Sequence, residues 1–426
     1  MIGPMSRVLL LLPTGTYRAE DFLRAATRLG VEVVVGSERH QALAGAMGDR
    51  AVRLPLDDPE RAADRIVELA GRRRLDAVVA VDDQGVAPAA MAAARLGLAH
   101  NPVAAVAATR DKAAMRDALG TAGVAQPDHR LVGPGDDVRE LAGQVGLPCV
   151  LKPLALSGSR GVIRADDPQG AAAAAARIRR ILSAARREEG GALLVEAYVP
   201  GREVAVEALL RAGACEVLAV FDKPDPLEGP YFEETIYVTP ARLPAETLAA
   251  VTAATADAAA ALGLVEGPVH AELRVDGDRL WVLELAARSI GGLCARSLRF
   301  GAGVSLEEVI LRHAVGLPLQ GLTREPGASG VMMLPIPRAG VLREVRGREA
   351  ARAVPGVAGL EITVARGRPL VPLPEGGRYL GFLFARGDTP GEVERALREA
   401  HSLLDVVVDP ARPDDVPAAD RVAGPR

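Results

Sequence analysis

Short β-branched runs alternate with amphipathic stretches over the first hundred residues, and this pattern constrains the fold more than any other feature. Residues 8–12 are followed by 18–29 and 31–35, and later 76–81 are followed by 86–96. Strand, helical period and strand in succession predict βαβ units and therefore a parallel sheet. The loop Pro13-Thr14-Gly15-Thr16 lacks the GxGxxG spacing of a dinucleotide site. This unit is expected to act as a scaffold that lends loops to a substrate cleft.

The alternation changes at Thr109. Helices are predicted over 111–122 and 137–144, then the strand Cys149-Val150-Leu151-Lys152-Pro153 and the glycine-rich segment Ser157-Gly158-Ser159-Arg160-Gly161-Val162. A long helix over 168–187 follows. It includes the polyalanine run 171–176, because alanine is the best helix former and the flanking charges are helically spaced. Further strands are expected up to Glu196, over 204–210 and over 217–221, then a helix over 244–262. Two more strands, 268–275 and 279–285, flank Asp276-Gly277-Asp278. After Gly316-Leu317-Pro318 the pattern weakens; strands at 330–334 and 379–385 and a helix over 390–404 complete it. Residues 409–426, rich in Pro, Asp and Ala, are expected to form a poorly ordered tail.

A chain of 426 residues exceeds the ~250–300 that one hydrophobic core serves, so several compact units share the length. A net charge of −4 and a pI near 6.0 supply no basic field for nucleic acid or an anionic membrane. Aromatic residues are 3%, too few for base-stacking surfaces. The expected partners are small molecules. Cys149, Cys215 and Cys294 have neither disulfide nor metal-ligand spacing and sit among apolar neighbours, as buried reduced thiols in a cytoplasmic protein would. The apolar run after Arg7 is too short for a signal peptide, and no segment reaches the roughly 18 apolar residues of a spanning helix.

Chemistry on a triphosphate needs cations along the phosphates, a backbone-rich loop over them and carboxylates for Mg²⁺. Lys112 opens a helix, Lys152 interrupts an apolar strand, and residues 157–161 can turn backbone N–H groups and two hydroxyls toward phosphate oxygens, with Arg160 adding charge. An exposed lysine is usually a solvated charge, and for Lys112 alone that reading would win. Lys152 needs a partner or a route to solvent. Glu272 and Glu284 occupy two strands of a hairpin. They share a face only if the turn has odd length or a bulge lies near it, so a three-residue loop at Asp276-Gly277-Asp278 is predicted. The alternative for Glu284, a helical ion pair with Arg288, is weaker, because residues 284–292 leave a strand for the loop Ser289-Ile290-Gly291-Gly292.

Taken together, these residues resemble the ATP-grasp superfamily, and most closely its amino-acid ligase branch, over roughly residues 105–318. The likeness rests on Asp111-Lys112, Val150 to Pro153, Ser157 to Val162, Val195-Glu196-Ala197-Tyr198-Val199-Pro200-Gly201-Arg202-Glu203, His270-Ala271-Glu272, and Glu284 to Gly292. It implies an α/β chain with an α+β ATP-grasp core. The expected divisions are an N-terminal domain at 1–105, lobes at 106–196 and 197–318, a C-terminal α+β domain at 319–408 and the tail. It implies ATP, with Mg²⁺ or Mn²⁺ on Glu272 and Glu284, and Lys112, Lys152 and the 157–161 loop at the phosphates. Glu196, Ala197, Tyr198 and Val199 would form the adenine hinge, and Glu203 would receive the ribose. Arg288 would contact the substrate carboxylate and acyl phosphate, with Ser289, Gly291 and Gly292 beside it.

Many relatives carry Glu-x-Asn where this chain has Glu284-Leu285-Ala286, so one metal ligand is absent, which points toward the amino-acid ligase branch. Glu234 and His270 are further substrate candidates; a loop acid and a satisfied histidine are their plainer readings. The expected activity is amide formation between a carboxylate and an amine, with a homodimer as a compatible assembly. The rivals are an ATP-grasp carboxylase or purine-type ligase, and a nucleotide-binding protein without turnover.

Overall fold

Strand Arg7–Leu11 is buried along its whole length, as a strand covered by helices on both faces must be. In the computed structural model, which describes residues 6–39, 48–185 and 191–410, it lies inside a parallel sheet. The sheet order is Ala51–Arg53, Glu32–Ser37, Arg7–Leu11, Ala77–Ala80. The first of these strands is too short to have shown in the sequence pattern. Chain order reverses at Arg7–Leu11, so the loop after it and the turn Asp82-Asp83 after Ala77–Ala80 open at the sheet's carboxyl end, where such folds bind ligands.

A small antiparallel sheet follows, ordered His129–Val132, Leu193–Ala197, Cys149–Pro153, Ile163–Ala165. Helix Pro168–Ala184 covers it and absorbs the polyalanine run. Ala171, Ala174, Ala175, Ile178, Ile181 and Leu182 recur at the helical period and are its buried stripe, and Asp167 caps the start by accepting from the Gly170 N–H at 2.7 Å. The helix stops at Ala184, short of the expected 187, and residues 186–190 lie outside the described ones.

The third sheet has eight strands and crosses the expected division at 318. Its order is Arg279–Ala286, Gly267–Asp276, Arg202–Arg211, Ala214–Asp222, Ile236–Thr239, Ala328–Leu334, Gly381–Gly387, Val357–Ile362. Ile236–Thr239 and Ala328–Leu334 pair antiparallel at the junction. A small sheet of Pro369–Leu370, Gly340–Arg346 and Asp405–Asp409 finishes the chain. Asp409 therefore ends a strand rather than beginning the tail; the rest of the expected tail, from 411, lies outside the described residues.

The hairpin corrects the predicted loop. Asp276 pairs with Arg279, leaving a two-residue turn with Gly277 at φ +60°, a conformation glycine adopts without strain. Leu273 pairs with Val282 but Glu272 pairs with Glu284, so Leu283 is the extra residue of a bulge. The parity change is made there and not at the turn. Glu272 and Glu284 come out directly opposed.

Candidate functional site

The small and large antiparallel sheets face each other across a cleft of about 690 Å³, closed at one end by the loops of the parallel sheet. Lys112, Lys152 and Arg288 enter it already paired, whereas Arg160 of the glycine-rich segment does not line it. Lys112 leads helix Lys112–Thr121, whose Asp111 cap accepts from the Ala113 and Ala114 N–H groups, and its ammonium reaches the Leu156 carbonyl at 2.9 Å and Glu284 at 3.3 Å. Lys152, on strand Cys149–Pro153, meets Glu196 at 2.6 Å. Arg116, one helical turn after Lys112 on the same face, takes the other Glu196 oxygen at 2.6 Å. Burial alone would raise the Glu196 carboxyl, but the two cations outweigh it and hold its pKa at about 2.

Arg288 lies against Asp83, Nε and Nη2 each 3.1 Å from one carboxylate oxygen, and its Nη1 donates to the Ser289 carbonyl at 3.0 Å. Asp83 also pairs with Arg110 at 2.9 Å. Burial would raise the Asp83 carboxyl, but Arg288 and Arg110 hold it far below the carboxylate range. The Glu284–Arg288 pair does not form; the two side chains go to Lys112 and Asp83. Ser289 is buried and accepts from Arg18 at 2.5 Å, while Arg18 also reaches the Ile290 carbonyl at 3.0 Å and Glu307 at 2.6 Å. The parallel-sheet domain thus holds the loop that carries Arg288. Gly291 and Gly292 line the cleft; at Gly292, with φ +59°, a Cβ would stand 2.7 Å from the Phe382 ring.

The glycine-rich loop is seated. Gly158, Ser159 and Gly161 all have positive φ; Gly161 N–H donates to the Pro374 carbonyl at 3.0 Å and Arg160 Nε to the Glu375 carbonyl at 2.8 Å. Arg177, from the helix behind, grips the Glu375 carboxylate at 2.7 and 3.0 Å. Ser157 lines the cleft with Gly158 and Ser159, and Ala197, Tyr198 and Val199 line it on the hinge side. Arg274 donates to the Val199 carbonyl at 2.6 Å, and its guanidinium lies 5.1 Å from the Tyr198 ring centre.

Glu203, Glu234 and Glu272 gather around a residue the sequence reading passed over. Lys223 lies 2.8 Å from Glu203 and 3.3 Å from Glu272, and also pairs with Glu234. The three carboxylates lie close enough to hold a metal, with oxygens within 4.8 Å of one another, but the Lys223 ammonium is among them. Burial opposes its charge and the three acids more than restore it, raising its pKa well above the usual value. Glu234, which also accepts from the Tyr237 hydroxyl at 2.7 Å, is pushed up by burial and by Glu272. Lys223 had a signal: Lys223-Pro224 ends an apolar strand as Lys152-Pro153 does. His270 stands 3.3 Å from the buried Glu207 and 3.7 Å from Glu272, and their charges raise its pKa against burial.

Paired acids, a glycine-rich loop and cations converge between two antiparallel sheets, and the chain belongs to the ATP-grasp superfamily. An ATP-grasp domain matches residues 145–297 and an ATP-grasp N-terminal domain residues 23–100. The L-amino acid ligase C-terminal domain 2 matches residues 332–409. Alanine–anticapsin ligase of Bacillus subtilis is 26% identical over 269 residues, 59% of this chain and 56% of that protein. This chain spans little more than half the length of that relative. The L-amino acid ligase structure from Bacillus licheniformis has a similar fold, with TM-score 0.77 at 24% identity over 95% of this chain and 99% of that one. N5-carboxyaminoimidazole ribonucleotide synthetase from Thermotoga maritima shares the fold at TM-score 0.71 and 17% identity, over 95% of this chain and 100% of that one.

Proposed function

We propose that the chain is an ATP-dependent carboxylate–amine ligase that joins amino acids through an acyl phosphate and releases ADP and phosphate. The observation that carries this reading is the direct opposition of Glu272 and Glu284, with Lys112 on Glu284 and Arg288 beyond it on the same strand exit. The L-amino acid ligase relatives support the amide product.

In this reading a carboxylate oxygen of the first substrate attacks the γ-phosphorus of ATP as the bond to ADP breaks. Lys112, Lys152 and Arg288 offset the charge, and residues 157–161 exclude water from the phosphates. The amine of the second substrate then attacks the acyl carbon, the C–O bond to phosphate breaks, and the nitrogen gives up a proton. Asp83 orients the Arg288 fork, which keeps N–H donors for the substrate oxyanion. Glu272 and Glu284, opposed across the hairpin, are the carboxylates that would hold a hard divalent cation, Mg²⁺ or Mn²⁺, which when bound would draw charge from the phosphate oxygens. Ala286 leaves that strand one carboxylate ligand.

Ala197 to Val199 are read as the adenine hinge and Glu203 as the ribose acid. Glu196 serves by holding Lys152, since both of its oxygens are engaged. The divisions at 105, 196 and 318 are our reading of the domain organisation. A cytoplasmic setting is supported by the buried thiols of Cys149 and Cys294; Cys215 is half-buried. Among the described residues no helix is long and apolar enough to cross a membrane. A homodimer fits this reading and is tested by light scattering.

The experiment is a phosphate-release screen over pairs of amino acids with mass spectrometry of the products. ADP, phosphate and an amide are expected. AMP with pyrophosphate, or ATP turnover that no amine stimulates, would overturn the reading.

A further inference from the structure

Most cleft charges are matched within the protein. Among the described residues, Lys112, Lys152, Arg274 and Arg288 each carry an ion pair with a carboxylate. Two lining cations do not, Arg39 and Arg378, and Arg39 adjoins residues 40–47, which are outside the described ones. Arg378 comes from the far end of the chain, on the segment just after Glu375, and is exposed to the cleft. A Cβ on Gly15 would stand 3.2 Å from its Nη2, so the guanidinium lies over the loop that leaves the first strand.

Among the lining acids, Asp83, Glu196, Glu203, Glu234, Glu272 and Glu284 are ion-paired. Glu38 accepts the Thr14 N–H at 2.9 Å. The Asp82 carboxylate has neither a hydrogen bond nor an ion pair among the described residues, and it lines the same corner. Burial raises the pKa of the Tyr17 hydroxyl, with Arg378 drawing it down and Asp82 adding to the rise, so both charges act on the same phenol. Asp82 also acts at a distance on Arg288, so the corner offers Arg378 and Asp82 without direct ion-pair partners among the described residues, beside a phenol.

We infer that Arg378 and Asp82 form the subsite for the amine-bearing substrate, Arg378 reading its free carboxylate and Asp82 its ammonium, so that the acceptor must be an amino acid rather than a simple amine. A substrate whose carboxylate becomes the acyl phosphate cannot use Arg378 through to product, because that carboxylate loses its charge. The acceptor keeps its carboxylate throughout, and a guanidinium open to the cleft recognises it by paired charge-assisted hydrogen bonds. This inference rests on the ligase reading. It gives the C-terminal segment a role in selectivity that neither lobe supplies.

The test compares L-amino acids with their α-carboxamides as acceptors, in the wild-type protein, Arg378→Gln, Arg378→Lys and Asp82→Asn. The wild type is expected to prefer the free acid. Arg378→Gln should raise the acceptor KM about ten- to a hundredfold, as loss of a hydrogen bond to a charged group does. It should abolish the preference over the carboxamide and leave the KM values for ATP and the acyl donor unchanged, and lysine should restore part of the preference. Asp82→Asn should weaken acids and carboxamides alike, since both carry the ammonium. Equal use of acid and carboxamide by the wild type, or a preference that survives Arg378→Gln, overturns this inference and leaves the ligase reading standing. Absence of amide from every pair overturns both.

Discussion

At Arg288 the planar fork matters more than the charge. Both oxygens of Asp83 meet it, so a lysine would keep the charge yet lose the orientation. Arg288→Lys is expected to lower kcat by about 10²–10³-fold with a small change in the KM for ATP, measured in steady state. Glu196 makes a different prediction. Its pKa falls from an ordinary 4.5 to about 2 in the folded protein, so its contribution is fully present above pH 4.5 and is lost as pH drops toward 2. That stability is on the order of 3 kcal/mol. Denaturant titrations between those pH values should show the decline, and Glu196→Gln should flatten it. Lys223→Met would leave one buried and two half-buried acids facing one another. The expected cost is about 3–5 kcal/mol at neutral pH, and smaller in mild acid, where the already raised Glu234 takes up a proton.

At the scale of elements, the glycine-rich loop depends on a strap from the other end of the chain. The Arg177–Glu375 pair is partly exposed and worth about 1 kcal/mol, so Glu375→Gln should raise the KM for ATP roughly fivefold. Amide exchange in residues 157–162 should quicken in the same variant. The strands and helices that carry these parts were legible because their periods are local. Strand Cys149–Pro153 and the hairpin strands fall where the apolar alternation puts them. The hairpin's register was not legible: opposed glutamates required a parity change, and the turn was the natural place to put it. The chain makes it at Leu283, where the freed carbonyl accepts from Arg116 at 2.6 Å, a contact between residues 167 apart that no local pattern signals. Asp83, Arg18 and Glu207 escaped for the same reason, since each acquires meaning only from a partner distant in sequence; Lys223 carried a local signal that was passed over.

Across the whole molecule, the strand pairing of Ile236–Thr239 with Ala328–Leu334 joins the large lobe to the C-terminal part as one sheet. A chain cut after residue 318 would expose the apolar edge Ile236-Tyr237-Val238-Thr239, buried throughout in the intact protein. Such a fragment is expected to aggregate on expression, measured by size-exclusion chromatography of the soluble fraction; a monodisperse fragment would contradict this account of the sheet. The Arg18 contacts with Ser289 and Glu307 tie the parallel-sheet domain to the same body.

That continuous eight-stranded floor has a kinetic consequence. The floor, the C-terminal part and the parallel-sheet domain are joined, and the small four-stranded sheet, outside the floor's ladder, meets them through side chains and loop contacts such as Arg177–Glu375. Lifting it means breaking the Arg177–Glu375 pair together with the Gly161–Pro374 and Arg160–Glu375 backbone contacts. In the ligase reading, turnover is expected to be paced by how often those contacts open, so a faster chemical step would bring no faster enzyme.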